Sequence, residues 1–171
     1  MTKTRHLTEI AVCVAMAVVC SFIKVWEMPQ GGSVALTMVP ILLIAVRRGF
    51  AAGAFTGAIY GLLSLAIAGV IYHPMSVFLD YIIAFGILGI AGLFKKSITG
   101  IILGTCTAVA GRFICSFLSG ILLFASNAPE GQSAWIYSLG YQATYLVPEL
   151  VLTLAVMVLL WFKAHKLFEV N

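Results

Sequence analysis

Three strongly ionisable residues, Asp80, Arg112 and Glu149, lie well inside long apolar segments of the chain. Charges there are expensive and by default mark a functional site. Asp80 and Arg112 offer the most chemistry. A carboxylate and a guanidinium in one apolar bundle either clamp each other or keep the aspartate ionised to receive a ligand's positive or donor-rich edge. Arg112, Ser116, Ser119 and Gly120 follow i, i+4, i+7, i+8 spacing, which gives one helix a polar, partly bare face beneath Phe124. Tyr137, Tyr141, Gln142 and Tyr145 gather near the start of the last apolar run. A pocket of aromatics with a carboxylate, a guanidinium and amides suits a small planar, polar or cationic ligand. Glu149 directly follows Pro148; bonding to backbone groups freed by the proline and protonated isolation both stay open.

The elements that must position these groups are set by composition. Hydrophobic residues make up 62% of the chain, charged residues 9%, and mean hydropathy is +1.10, which is far outside the range of a soluble domain and marks an integral membrane protein. Apolar runs at 7–26, 34–46, 50–71, 74–94, 98–125 and 136–162 predict an all-α fold, a polytopic bundle of six transmembrane helices forming one domain over 1–171. The run 34–46 is short, and either spans with help from its flanks or packs as a half-buried segment. Ten-residue alternation, the mark of a membrane barrel, is absent. Residues 7–26 read as a retained first helix, since no small-residue cleavage site precedes the next run. At about 1.5 Å per residue, Asp80 lies about 9 Å and Arg112 about 20 Å below the outer end of the bundle.

Lys3, Arg5, Arg47, Arg48, Lys95, Lys96, Lys163 and Lys166, eight of the ten basic residues, mark alternate ends of the runs. The loops 27–33, 71–74 and 126–133 hold none. The positive-inside rule then puts both termini in the cytoplasm of a multi-pass cell-membrane protein. Topology accounts for the net charge of +4 without a nucleic-acid partner.

Other chemistries are missing. The sequence has no GxxxxGK[ST] loop, GxSxG elbow, HExxH site or paired intramembrane aspartates, which points away from an ATPase and from an enzyme in general. Cys13, Cys20, Cys106 and Cys115 lie in predicted helices without metal-ligand spacing, and read as small apolar residues. No metal or cofactor is expected in this chain. His73, beside Pro74, reads as a loop cap, and His6 and His165 as flanking residues. Gly49, Gly53, Gly57 and Gly61 recur every fourth residue, a stripe on which a neighbouring backbone can approach closely. Ala11 and Ala15 form a similar pair, suited either to internal packing or to docking a partner.

The order and spacing of several fragments carry a family resemblance: Met28-Pro-Gln-Gly-Gly-Ser33, Pro40, Arg47-Arg-Gly49, Leu79-Asp-Tyr81, Gly111-Arg-Phe113 with Ser119-Gly120, and Trp135-Ile-Tyr-Ser138 with Ala143-Thr-Tyr145. Together they resemble the thiamine-specific substrate-binding (S) component of bacterial energy-coupling factor (ECF) transporters, over nearly the whole chain. The resemblance implies a six-helix membrane protein that captures thiamine from outside, while a coupling transmembrane subunit and two ATPase subunits energise uptake. It implies that Asp80 contacts the aminopyrimidine, with Tyr81 its aromatic neighbour, Arg112 the basic residue beside it and Tyr137 a further contact. It implies a lid at Pro29, Gln30, Gly31 and Gly32, and docking to the coupling subunit through Ala11 and Ala15. Three positions depart from the family pattern: Ser116 replaces a histidine, Gln142 an asparagine and Phe124 a stacking tryptophan. A related aminopyrimidine or vitamin precursor is therefore an alternative ligand. A structural membrane subunit whose Asp80–Arg112 pair is only a clamp is an alternative function. A self-sufficient carrier would call for inverted repeats, and none stands out.

Overall fold

Glycines, prolines and short polar caps cut the apolar runs into six helical segments. The computed structural model describes residues 3–28, 32–68, 73–129 and 131–169. The segments are α1 (Lys3–Ser21), α2 (Met38–Arg48), α3 (Phe50–Ala68), α4 (Pro74–Leu93), α5 (Ile98–Leu123) and α6 (Ala134–Lys163). Apolar stretches in five of them, all but α2, are long enough to cross a membrane. The ends have identifiable causes. Gly49, at φ 96°, terminates α2 and donates its N–H to the Ala45 carbonyl at 2.7 Å. His73 Nδ1 accepts the Met75 N–H at 3.1 Å ahead of Pro74, so His73 caps α4. Ser97 Oγ accepts the Gly100 N–H at 3.1 Å at the start of α5.

The run 34–46 forms a helix shorter than the five that are long enough by themselves to cross a membrane. Its helix α2 has 11 residues, eight of them buried, and at 1.5 Å per residue is only about 16 Å long. It lies inside the bundle, where Met38, Ile41, Leu42, Leu88, Ile101, Ala108 and Met157 form the largest apolar core. A short antiparallel hairpin precedes it: β1 (Lys24–Glu27) pairs with β2 (Ser33–Ala35), Trp26 opposite Val34 and Glu27 opposite Ser33. The all-α reading holds for the bundle, and this hairpin is an addition to it. Its outer strand is exposed while Val34 and Ala35 are buried, so burial of β2, rather than strand alternation in β1, fixes the pairing.

The glycine stripe is internal packing along most of its length. A Cβ on Gly57 would meet the Phe85 carbonyl, one on Gly61 the Tyr81 carbonyl, and one on Gly53 the Ala45 side chain. Gly49 is the exception, with open space around it and a positive φ. Against this bare face α4 is not a regular α-helix: it winds as π-helix over Val77–Ile83 and as 3-10 helix over Ile87–Leu93. Such winding is frequent at functional sites, and Asp80 and Tyr81 sit inside the π segment.

One end of the bundle is basic. Glu9 of α1 accepts Arg48 Nε at 2.6 Å and Arg47 Nε at 3.2 Å. Arg47 also donates to the Leu167 carbonyl at 2.9 Å, and Lys96 to the Arg47 carbonyl at 2.9 Å. Phe168 tucks into the core behind them. All four cysteines are free. The hairpin lies at the opposite end of α1, as do the starts of α4 and α6 and the end of α5.

Candidate ligand site

A polar layer crosses the bundle near its hairpin end. Counted at 1.5 Å per residue, Asp80 is about 9 Å past Pro74, Ser119 about 6 Å before Leu123, and Ser138 about 6 Å past Ala134. Ser119 Oγ donates to Asp80 Oδ2 at 2.5 Å, which joins α4 to α5. Ser138 Oγ donates to the Phe117 carbonyl at 3.0 Å, and Gln142 Nε2 to the Ser116 carbonyl at 3.0 Å, which join α5 to α6. Gly120 makes the second join possible, because a Cβ there would collide with Ser138 Oγ. Gln142 Oε1 in turn accepts the Tyr145 hydroxyl.

Aromatic rings stand beside this layer. Tyr137, Tyr141 and Tyr145 recur every fourth residue on α6, and their ring centroids step by 6.0 and 6.2 Å. A Cβ on Gly32, at φ 86°, would meet the Tyr145 ring at 2.8 Å, so only glycine lets the chain before β2 lie so close. Val34, Tyr145 and Leu146 form a small core with Met28, Phe113 and Tyr141 around them. The hairpin therefore rests directly on the aromatic ladder.

Arg112 does not pair with Asp80. Its Nη1 donates to Glu149 Oε2 at 3.0 Å, and its guanidinium lies 4.3 Å from the centre of the Phe85 ring. Glu149, 1% exposed, also accepts the Thr37 hydroxyl at 3.2 Å. Removing a buried charge's partner is far costlier than the pair is worth, which explains why both members lie deep together. The clamp of Asp80 on Arg112 is thus corrected: among the described residues Asp80 belongs to no ion pair, and its partner is Ser119. Depth was the signal. Glu149 is 15 residues past Ala134 on α6, about 22 Å at helical rise, and so nearly level with Arg112 but not with Asp80.

Of the residues singled out in the sequence, the hydrogen-bonded layer gathers Asp80, Ser116, Gly120 and Gln142, with Arg112 deeper. Tyr81, Phe124 and Tyr137 are half-buried near the same end. Pro29, Gln30 and Gly31 lie outside the described residues, and Gly32 lies on Tyr145. Ala11 and Ala15 are exposed on α1, so they do not pack inside the bundle. Thr37, Ser138 and Glu149 carry contacts that the sequence reading did not assign. The described residues hold no cluster of three or more His, Cys, Asp or Glu side chains that could bind a metal.

Residues 7–169 match the family described as Thiamine transporter protein (Thia_YuaJ). The thiamine transporter ThiT of Bacillus subtilis is 38% identical over 180 residues, covering 96% of this chain and 94% of the relative. The thiamine transporter ThiT of Lacticaseibacillus paracasei is 27% identical over 183 residues, covering 95% and 89%. A solved structure of ThiT from Listeria monocytogenes superposes with a TM-score of 0.89 at 26% identity, over 98% of this chain and 99% of that one. The S component of a bacterial ECF transporter shares the fold, with a TM-score of 0.71 at 20% identity over 96% and 98% of the two chains. A family match that runs from the first helix to the last residues of the C-terminal segment leaves one assignment: the chain belongs to the thiamine transporter protein family.

Proposed function

We propose that this chain captures thiamine from outside the cell for ATP-driven uptake by an ECF transporter, in which separate subunits hydrolyse ATP. The observation that carries this reading is Asp80: a half-buried carboxylate in a lipid-compatible bundle, hydrogen-bonded by Ser119 and outside every ion pair of the described residues. Thiamine joins a cationic thiazolium ring to an aminopyrimidine whose amino group is a donor. A carboxylate that accepts one hydroxyl retains acceptor capacity for such a donor and charge for such a cation. Tyr81, Phe124 and Tyr137 supply ring faces for stacking and cation–π attraction. Ser116, Gly120 and Gln142 shape the polar wall, and Arg112 forms the base of the site. Pro29, Gln30, Gly31 and Gly32 are the lid. Capture needs no cofactor and no chemistry on the ligand, in line with the chain being a transport protein and not an enzyme.

The orientation follows from charge. The end of the bundle that carries Arg47, Arg48, Lys96 and Lys163 faces the cytoplasm with both termini, and the hairpin faces outward. The exposed alanines Ala11 and Ala15 let a helix of the coupling subunit approach α1 closely, as small residues do in membranes. The test is equilibrium binding. Purified chain in detergent, without ATP or partner subunits, is titrated with thiamine while tryptophan fluorescence is followed. Saturable one-to-one binding supports the proposal. A chain that binds the isolated aminopyrimidine as tightly as thiamine would shift the ligand to that precursor, and a chain that binds neither would refute capture.

A further inference from the structure

Glu149 is the one intramembrane ionisable group to which the proposed capture gives no role, and its surroundings are unusually connected. It lies on the same face of α6 as Tyr145, one helical turn away. Its two carboxylate oxygens serve different elements: Oε2 accepts Arg112 of α5, and Oε1 accepts Thr37, the residue immediately before α2. Thr37 stands two residues after β2, whose preceding Gly32 lies on the Tyr145 ring. The chain from the hairpin to α2 therefore touches one face of α6 twice, at Tyr145 through Gly32 and at Glu149 through Thr37.

Arg112 is 8% exposed, with a carboxylate on one side and the Phe85 ring on the other, and with its Nε–H unpaired among the described residues. The contacts fix the guanidinium plane from two directions. Ser116, one turn above Arg112 on α5, gives its carbonyl to Gln142, so the oriented guanidinium lies directly beneath the polar layer.

We infer that Glu149 is a positioning residue for ligand capture: it sets the orientation of Arg112 at the base of the site and, through Thr37, ties that orientation to β2 of the hairpin. The inference rests on the thiamine reading and adds to it a residue that acts without touching the ligand. Glu149→Gln keeps the shape and an acceptor but loses the charge that holds the guanidinium, so thiamine affinity falls about tenfold, the scale of one charge-assisted hydrogen bond. The decisive readout is a double-mutant cycle. Once Arg112 is methionine, Glu149→Gln has no further effect on affinity, whereas two independent contributions would add.

Thr37→Val tests the link to the hairpin without disturbing the ion pair, and serves where the Glu149 variants fold poorly. It lowers affinity several-fold, and it reduces the protection that thiamine confers on the Ser33–Ala35 amides in hydrogen exchange. Parent protein that binds thiamine together with Glu149→Gln that binds equally well, losses that add across the cycle, or unchanged Ser33–Ala35 protection in Thr37→Val would each overturn the inference while leaving thiamine capture intact. Parent protein that fails to bind thiamine would overturn both.

Discussion

Replacing Asp80 by asparagine separates recognition from stability, because the two should move in opposite directions. The amide oxygen of asparagine can still accept the Ser119 hydroxyl, now 2.5 Å from Asp80 Oδ2, so the α4–α5 join survives. The negative charge does not. Losing a hydrogen bond to a charged group costs about 1.5–3 kcal/mol, which is roughly a 10- to 150-fold rise in the thiamine Kd. Stability gains or holds, since no ion pair of the described residues depends on Asp80 and a partly desolvated charge in the bundle is removed. The assay is thiamine titration of both proteins in the same detergent, beside thermal melting of each without ligand. An Asp80→Asn protein that binds within twofold of the parent refutes the recognition role. One that loses binding and melting temperature together shows that the carboxylate holds the bundle instead.

Three further expectations follow from the packing. Arg112→Met alone strands Glu149 and lowers stability by about 3–5 kcal/mol, whereas Arg112→Met with Glu149→Leu regains most of it without regaining thiamine affinity; thermal melting and titration of the two variants check this. Gly57→Ala drives a Cβ into the Phe85 carbonyl and destabilises by about 1–3 kcal/mol, while Gly140→Ala, which has open space, is neutral or stabilising by up to about 1 kcal/mol; equal melting of the two would refute the α3–α4 contact. Replacing Ala11 and Ala15 by tryptophan leaves thiamine binding in detergent intact and abolishes uptake in cells carrying the complete transporter; normal uptake would remove α1 as the docking face.

Much of this architecture is legible in the chain because lipid simplifies the code. Long apolar runs must be helices, and the basic residues gather at alternate ends of them. What was less legible depended on partners that no local pattern specifies. The length of 34–46 hints at something unusual, but only the buried faces of Met38, Ile41 and Leu42 show that α2 is an internal helix. The hairpin has no strand periodicity of its own, since all of β1 is exposed. The π winding around Asp80 arises where α4 meets the bare face of α3, a pairing invisible before the helices are assembled. The sequence reading weighed only Asp80 as a partner for Arg112, whereas depth counted along each helix sets Glu149 nearly level with it.

The most direct measurement is a structure of the chain determined with thiamine bound. The account predicts the aminopyrimidine amino group within hydrogen-bond distance of the Asp80 carboxylate, the rings of the ligand against Tyr81, Phe124 or Tyr137, and Arg112 still paired to Glu149. Thiamine found elsewhere, with Asp80 still bonded only to Ser119, would contradict it.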